Sequence, residues 1–247
     1  LWRTSKMLKV KALLFDVFGT VVDWRSGIIN ATEIIAKKNK IDINPAEFAD
    51  SWRAEYQPAM EEIRKGRRKF TILDELHMEN LEKIAPKFNL NNLTDDDKLF
   101  LVTAWHRLPG WADSSEGLKK LKTKFIIATQ SNGNIALMVN MAKYSDLNWD
   151  VILGAEVIGH YKPHPQAYLK ACKALNLHPS ECLMVAAHDD DLLAASLQGM
   201  KTAYVDRPFE TGKEKLFDMA ENNDYKDKRN WDVISNDFND LANQLGC

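Results

Sequence analysis

The stretch LLFDVFGTVVD, residues 13–23, decides the fold and raises the question of function. Its first three residues are apolar and predict a strand buried on both faces, and Asp16 follows directly where that strand ends. Burying a carboxylate costs free energy unless hydrogen bonds or an opposite charge compensate for the lost water. Two residues later stands Phe18, at a position where a second acid would imply different chemistry. The question is therefore which reaction a single carboxylate at this position can support.

Apolar runs of this kind recur along the chain, and each leads into a segment with the helical spacing of apolar residues. Continuous apolar character, without alternation, is typical of strands in a parallel sheet that is covered on both faces. Alternation of such strands with helices predicts an α/β fold with a doubly wound, Rossmann-like parallel sheet. The predicted strands are KALLFDVF (11–18), KFIIATQ (124–130), DVILGAE (150–156), CLMVAAH (182–188), TAYVD (202–206) and WDVIS (231–235).

Residues 24–107 interrupt this alternation with four helical blocks. Pro45 stands near the first turn of the second block, and Thr94 precedes three aspartates as an N-cap would. The sequence therefore predicts a Rossmann-like core domain of residues 1–23 and 108–247 and a helical cap subdomain of residues 24–107. Such a cap would cover the carboxyl ends of the strands, where open α/β sheets bind ligands. The blocks lie at 27–40, 45–65, 70–88 and 95–108.

The composition is that of an ordinary globular protein, with 247 residues, 45% of them hydrophobic, and a formal net charge of −2. Nothing in this balance indicates binding to nucleic acid or to a membrane. We expect the short basic cluster at residues 64–69 to be a solvated helix end. The cysteines form neither a disulfide framework nor a metal-ligand spacing, and residues 1–10 lack the apolar region of a signal peptide. We therefore expect a cytoplasmic protein.

Polar side chains cluster where the predicted strands end. Because parallel strands end at one edge of a sheet, we expect a carboxylate, a hydroxyl, an amide, an ammonium and further acids to converge on one pocket. The chain has no Walker loop, G-x-G-x-x-G, H-E-x-x-H or Ser-His-Asp elbow, so the chemistry of those motifs is not indicated. The strand-end residues are Asp16, Thr20, Ser131, Asn132, Gly133, Lys162 and His188 to Asp191.

Four stretches resemble, in the correct order, the four motifs of the haloacid dehalogenase-like hydrolases. They are DVFGT (16–20), QSNGN (130–134), YKPHPQAY (161–168) and HDDDLLAASLQGM (188–200). The resemblance runs over nearly the whole chain and includes the position of the inserted helices. Most members of this superfamily are magnesium-dependent phosphatases, so the superfamily alone does not specify the reaction.

Two positions depart from the phosphatase pattern of that superfamily. Its phosphatases carry a second Asp two residues after the nucleophile, where this chain has Phe18, and a metal-binding Asp where it has Ala187. Phosphoryl transfer needs both parts, and without a cation Asp16 would repel a phosphate dianion. Displacement of halide from carbon needs neither part, so the resemblance implies a metal-independent reaction with no cofactor.

Within the superfamily the chain most resembles the L-2-haloacid dehalogenases (type II). That resemblance implies that Arg53 holds the departing halide, that Asn132 assists it, and that Lys162 and Tyr168 belong to the site. The motif after the fourth strand departs from the subfamily, whose Ser-Ser-Asn is Ala-Ala-His at residues 186–188 here.

The implied reaction is hydrolysis of a short 2-haloalkanoic acid, such as an L-2-haloacid or a haloacetate, to a 2-hydroxyacid through an aspartyl ester. Asp16 attacks C2 of the substrate and halide leaves; water, activated by Asp191 or His188, then attacks the ester carbonyl. Those two bases remain alternatives. Thr20 is expected to orient Asp16, while Ser131 and Lys162 bind the substrate carboxylate. The candidate catalytic residues are Asp16, Thr20, Lys162, His188 and Asp191, and the candidate substrate- or halide-binding residues are Phe18, Arg53, Ser131, Asn132 and Tyr168.

Simpler explanations exist for some of these residues. Tyr168 has the spacing of a packing residue, and His188 could merely fill its loop. If His188 does lie near the halide, it would shrink the pocket, which leads to the hypothesis that fluoroacetate is a favoured substrate.

Other classes of function also stay open. One is a phosphatase acting on a small phosphate ester; another is a non-catalytic scaffold, against which the set Asp16, Ser131 and Lys162 argues. The expected partner is a small-molecule 2-haloacid. The cap helices offer apolar surface for a homodimer, but the helices of a monomer would look the same.

Overall fold

The computed structural model describes residues 8–212 and 230–247. Five strands form one sheet in the order β2-β1-β3-β4-β5, and every pair in it is parallel. This arrangement confirms the predicted Rossmann-like α/β fold, with β1 between β2 and β3. The strands are β1 (Ala12–Phe15), β2 (Ile126–Thr129), β3 (Cys182–Ala186), β4 (Lys201–Val205) and β5 (Val233–Ser235).

The helices fall into an inserted set between β1 and β2 and a set that alternates with the strands. The inserted helices are α1 (Trp24–Asn39), α2 (Pro45–Ala54), α3 (Tyr56–Arg64), α4 (Leu73–Ile84) and α5 (Asp95–Val102). The others are α6 (Ser114–Lys122), α7 (Ile135–Tyr144), α8 (Ala155–Ile158), α9 (Pro165–Ala174), α10 (Asp189–Leu197) and α11 (Phe238–Leu245). Short 3-10 turns cover Ala85–Phe88, Thr103–Arg107 and Pro179–Glu181.

The predicted strand at residues 150–156 is wrong. Only Val151 makes a single bridge there, to Ala128 of β2. The backbone N–H of Leu153 donates to the Thr129 hydroxyl at 3.0 Å, so it does not extend the backbone hydrogen bonds of a strand pair. Gly154 is the N-cap residue of α8, and a Cβ on it would lie 2.8 Å from the backbone nitrogen of Ile135. The chain therefore turns into a helix where the apolar pattern predicted a strand.

The second helical block is two helices, α2 and α3, with Glu55 at their junction. Pro58 explains the break, because it has no N–H to donate to the carbonyl of Ala54 four residues earlier. The predicted starts of the second and fourth helical blocks are confirmed. Pro45 is the first residue of α2, and the Thr94 hydroxyl caps α5 by accepting a hydrogen bond from the N–H of Asp97 at 3.2 Å.

One apolar cluster joins the sheet to the inserted helices. It contains Leu13 and Phe15 of β1 together with Phe48, Trp52 and Trp105. A second cluster covers the opposite face of the sheet and includes Leu14, Met184 and Tyr168. The inserted helices thus share a core with β1, and the division into a core domain and a cap subdomain stays a prediction. No helix within the described residues is long and apolar enough to cross a membrane.

Arg207, just after β4, ties three parts of the fold together. Its Nη1 and Nη2 donate to the two carboxylate oxygens of Asp113 at 2.7 and 2.9 Å, and its Nε donates to the carbonyl oxygen of Thr20 at 2.8 Å. Asp113 Oδ2 also accepts from the backbone N–H of Phe238 at 2.8 Å. Arg207 is buried, and it fixes the loop that follows β1.

Replacing Arg207 by Met should lower the free energy of unfolding by about 3–5 kcal/mol, because the substitution leaves the Asp113 carboxylate buried without its partner. Urea unfolding of the wild type and the variant measures the difference. Arg67→Met is the control, since Arg67 pairs with Glu62 at an exposed position and its loss should cost at most about 1 kcal/mol. Equal losses in the two variants would contradict this account.

Candidate active site

Asp16 lies at the carboxyl end of β1 and is almost completely buried. Each of its oxygens has a defined set of donors. Oδ1 accepts from the Lys162 ammonium at 3.0 Å. Oδ2 accepts from the Thr20 hydroxyl at 2.7 Å and lies 3.0 Å from Nδ1 of His188. Thr20 follows β1, His188 follows β3 and Lys162 follows α8, so these residues converge on one carboxylate from three parts of the chain.

The hydroxyl of Thr20 has a fixed direction. The backbone N–H of Ala187, after β3, donates to Thr20 Oγ1 at 2.9 Å. Because this bond occupies a lone pair of the hydroxyl oxygen, the hydroxyl proton is left to point at Asp16. Thr20 thus acts on Asp16 through a donor whose position is set by the backbone of the neighbouring strand.

Lys162 bridges two acids beneath the pocket. Its ammonium lies 3.0 Å from Asp16 Oδ1 and 2.5 Å from Asp191 Oδ2. The other oxygen of Asp191 accepts from the Tyr168 hydroxyl at 2.6 Å. Tyr168 is fully buried, so it both packs in the core and completes the hydrogen bonds of Asp191. Both sequence interpretations of this tyrosine therefore describe part of what it does.

Buried charges set the protonation of this cluster. Burial alone would raise the pKa of Asp16, but the Lys162 charge and the hydrogen bonds from His188 and Thr20 hold that pKa well below its ordinary range. Burial would lower the pKa of Lys162, but the charges of Asp16 and Asp191 raise it above the usual value. Burial raises the pKa of Asp191 despite its lysine partner. Asp16 is therefore an ionised carboxylate at neutral pH, as a nucleophile would have to be.

His188 lies between Asp16 and a second carboxylate, that of Glu210. Its Nε2 is 2.9 Å from both oxygens of Glu210. Burial alone would lower the pKa of His188, but its hydrogen bonds with Asp16 and Glu210 raise that pKa to about 10. Glu210 fits here because residue 19 is a glycine with φ of 86°; a Cβ on Gly19 would lie 2.0 Å from Glu210 Oε1. His188 is thus an imidazolium at neutral pH.

Arg53 of α2 reaches the pocket from the inserted helices. Its guanidinium carbon lies 3.9 Å from the centre of the Tyr56 ring, 5.3 Å from that of Trp24 and 5.5 Å from that of Phe18. Its Nη1 is buried and has no hydrogen-bond partner within the described residues. A buried cationic donor whose Nη1 has no partner is suited to bind a small anion through a charge-assisted hydrogen bond.

The other candidate residues have distinct places. The Asn132 amide donates to the Tyr56 hydroxyl at 3.1 Å, and its oxygen accepts from the backbone N–H of Lys162 at 2.8 Å. The Ser131 hydroxyl accepts from the N–H of Gly133 at 3.1 Å and does not line the cavity. Asn132 therefore links α3 to the lysine, whereas the expected contact of Ser131 with substrate remains a prediction.

The cavity at this site has a volume of about 220 Å³. That volume is smaller than the roughly 300–1,000 Å³ of sites for drug-sized ligands, and it suits a molecule with few heavy atoms. It is lined by Asp16, Phe18, Arg53, Tyr56, Gln57, Asn132, Lys162, Pro163, Tyr168, His188, Asp190 and Asp191.

Sequence reasoning missed Glu210 and misplaced Arg64. Glu210 follows β4, so the rule that functional side chains follow strand ends could have found it. Arg64 was expected on a solvated helix end, which is wrong: its side chain is 12% exposed and its Nη1 donates to the carbonyl oxygen of Lys162 at 3.0 Å. An arginine on an inserted helix thus holds the backbone of Lys162.

The residues of this site do not fit a divalent cation. Phe18 and Ala187 offer no side-chain oxygen at the positions where the superfamily's phosphatases carry carboxylates. Within residues 8–212 and 230–247, no group of three or more His, Cys, Asp or Glu is arranged to hold a metal ion.

Comparison with known proteins agrees with this geometry. The family model for haloacid dehalogenase-like hydrolases matches residues 10–199. The solved structure of the defluorinating L-2-haloacid dehalogenase Rha0230 is similar, with 42% identity, a TM-score of 0.90 and coverage of 96% of each chain. That of the L-2-haloacid dehalogenase PA0810 has 41% identity and a TM-score of 0.88, with 96% of this chain and 99% of that one covered.

Curated relatives fall into two classes. (S)-2-haloacid dehalogenase 4A of Burkholderia cepacia is 29% identical over 208 residues, which cover 80% of this chain and 84% of that protein. The putative pyrophosphatase PpaX of Clostridium perfringens is 30% identical over 209 residues, which cover 79% of this chain and 84% of that protein. Overall identity to these two relatives is nearly equal, so residues of the site must distinguish the reactions.

The raised pKa of His188 predicts a pH-dependent contribution to stability. Since the pKa rises from 6.5 to about 10 on folding, the contribution is complete below pH 6.5 and is lost as the pH rises towards 10. Urea unfolding of the wild type and His188→Gln should give a difference in free energy that shrinks across this range. A difference that stays constant or grows with pH would contradict the assignment of an imidazolium.

Proposed function

Because the chain belongs to the haloacid dehalogenase-like hydrolase family, we propose that it hydrolyses the carbon–halogen bond of short L-2-haloalkanoic acids and haloacetates. The products are a 2-hydroxyacid, a halide ion and a proton. The observation that carries this proposal is the ionised Asp16, held by Lys162, in a cavity whose opposite wall presents Arg53 among aromatic rings. One group supplies the nucleophile, and the other receives the leaving anion.

The first step is attack of an Asp16 oxygen on C2 of the substrate. The C2–halogen bond breaks with its electron pair, and an ester joins Asp16 to C2. Lys162 and Thr20 hold the carboxylate in one orientation for the attack. Because the nucleophile enters opposite the departing halide, the configuration at C2 is inverted. The Arg53 guanidinium and the Asn132 amide stabilise the departing halide.

The second step is hydrolysis of the ester. Water attacks Cγ of Asp16, and the bond from Cγ to the substrate oxygen breaks, which restores the carboxylate. Asp191 and His188 are the two candidate bases; His188 contacts Asp16 directly and Asp191 is joined to it through Lys162, but His188 would first have to lose a proton because its pKa is raised to about 10. Both line the cavity with Asp16, so either could reach a water molecule bound there.

A phosphatase is the second candidate, and the relationship to the putative pyrophosphatase PpaX is the observation that favours it. The site argues against it. Phe18 supplies no proton to a leaving group, and its ring is packed edge-on against Tyr56 and Trp105. With no carboxylate at residue 187 either, the parts that stabilise a transferring phosphoryl group are missing from their positions.

The direct test is halide release, measured by ion chromatography from L- and D-2-chloropropionate, chloroacetate and fluoroacetate in the presence of EDTA. We expect halide from the L-enantiomer and the acetates, and no release by Asp16→Asn. Phosphate release from an aryl phosphate with magnesium, without any halide release, would support the phosphatase instead.

The fluoroacetate arm tests the hypothesis about His188. The imidazole and Arg53 line the same small cavity, which supports a preference for the smallest halide. Faster release of fluoride than of chloride from the two acetates is the expected result. Equal or faster turnover of chloroacetate would contradict this preference without affecting the proposed reaction.

Substitution of Arg53 by Met should reduce kcat for halide release by about 10²–10³, the loss that follows removal of one preorganised donor to a developing anion. The shape of the side chain is roughly kept, so the loss reports the missing charge. Arg67→Met, which removes an exposed arginine from the loop between α3 and α4, is the matched control and should leave kcat unchanged. A similar kcat in the two variants would remove Arg53 from the halide site.

A further inference from the structure

We propose that Thr20 and His188 together bind the oxyanion that forms when water attacks the Asp16 ester, and that Glu210 keeps His188 doubly protonated for this purpose. The inference rests on the proposed dehalogenase function and assigns different roles to its two candidate bases. It also assigns a role to Glu210, a residue that the sequence did not single out.

The two oxygens of Asp16 differ in how many donors they already have. Oδ2 accepts from both Thr20 and His188, at 2.7 and 3.0 Å, which occupies its lone pairs. Within the described residues only Lys162 donates to Oδ1. Oδ1 is therefore the oxygen with a lone pair free to attack C2.

This assignment decides what each oxygen becomes. Oδ1 forms the bond to C2, so Oδ2 becomes the carbonyl oxygen of the ester. When water adds to Cγ, the negative charge of the tetrahedral intermediate develops on Oδ2. The Thr20 hydroxyl and the His188 imidazolium already point at that atom before the reaction starts, as preorganised oxyanion donors do.

Glu210 preserves the charge of His188 through the reaction. In the resting enzyme two carboxylates bond to this imidazole, those of Asp16 and Glu210. Formation of the ester neutralises Asp16, so of these two only Glu210 remains charged. Burial would raise the pKa of Glu210, but its bond to His188 holds that pKa below the usual value, and the residue stays ionised. Glu210 is a positioning residue, since it acts through His188 and not on the substrate.

Asp191 is then the base of the second step. It accepts one proton from water, and the hydroxide oxygen bonds to Cγ of Asp16. The Cγ–Oδ1 bond breaks, Oδ1 leaves with C2, and Asp191 returns the proton to this oxygen to form the 2-hydroxyacid. The remaining acid proton leaves Asp16 for solvent, which accounts for the one proton released per turnover. The raised pKa of Asp191 increases its basicity for this task.

The test separates the two half-reactions in Glu210→Gln. Rapid mixing with L-2-chloropropionate is followed by chloride analysis and by intact-protein mass. We expect the variant to release one equivalent of chloride in a burst at close to the wild-type rate. The ester should then accumulate, because its hydrolysis is slower by about 10²–10³ at the alkaline end of the pH range.

The pH dependence of ester decay distinguishes this role from a structural one. The proposed cationic donor requires a protonated His188, so the rate of ester decay should fall as the pH rises. This fall is the alkaline limb of the pH profile, and Glu210→Gln should move it at least one pH unit lower. His188→Gln keeps a hydrogen-bond donor without the charge and should give slow decay with no such limb. The charged groups that bear on His188 are Asp16 and Glu210 directly, Lys162 through Asp16, Arg53 through Glu210, and Asp190 and Asp191 across the cavity.

Glu62→Gln, at an exposed ion pair, is the matched control and should behave as the wild type. If Glu210→Gln does not fold, Glu210→Asp keeps the charge farther away and should shift the limb in the same direction by a smaller amount. The inference would be overturned if the alkaline limb of Glu210→Gln stayed where it is in the wild type, or if the variant lost the same fraction of its ester-decay rate at every pH. A rate of ester decay that increases with pH would overturn it as well. Absence of chloride release by the wild type would instead overturn the proposed function.

Discussion

The rest of the site depends on one buried ammonium, that of Lys162, held between the carboxylates of Asp16 and Asp191. A single buried carboxylate would take up a proton, and a protonated Asp16 could not attack carbon. The lysine offsets that tendency and at the same time fills the space between the two acids. The same charge therefore keeps Asp16 ionised, as the proposed nucleophile must be.

Two parts of the fold hold this lysine in place. The Asn132 side chain, after β2, accepts a hydrogen bond from the backbone N–H of Lys162. Arg64 of α3 donates to the carbonyl oxygen of Lys162. Tyr56, on the same helix as Arg64, accepts a hydrogen bond from Asn132 and stacks against Arg53. Asp16 on the sheet and Arg53 on the inserted helices are thus connected through Lys162, Asn132 and Tyr56.

The sequence predicts the fold and much of the site because both follow from local patterns. The parallel strands β1 and β3 place Asp16 and His188 at one edge, and the apolar runs locate β1 to β5 correctly. Lys162 reaches the same edge from the segment after α8 and not from a strand end. The strand predicted at 150–156 is wrong because the Thr129 hydroxyl takes the hydrogen bond of the Leu153 N–H. Apolar periodicity does not reveal such a side-chain bond.

Glu210 and Arg64 were not recognised for a related reason: the direction of a side chain depends on its tertiary neighbours. Glu210 needs the space left by Gly19, and Arg64 turns towards a carbonyl 98 residues away in the chain. A run of basic residues looks the same in sequence whether it faces solvent or the active site.

The central claim is that Asp16 itself becomes esterified, and single-turnover hydrolysis in water labelled with oxygen-18 tests it most directly. With enzyme in excess over L-2-chloropropionate, water attacks Cγ, so the label should enter the peptide that contains Asp16 and the 2-hydroxyacid should remain unlabelled. Label in the hydroxyacid, with none in that peptide, would mean that water attacks C2 directly and would contradict the account.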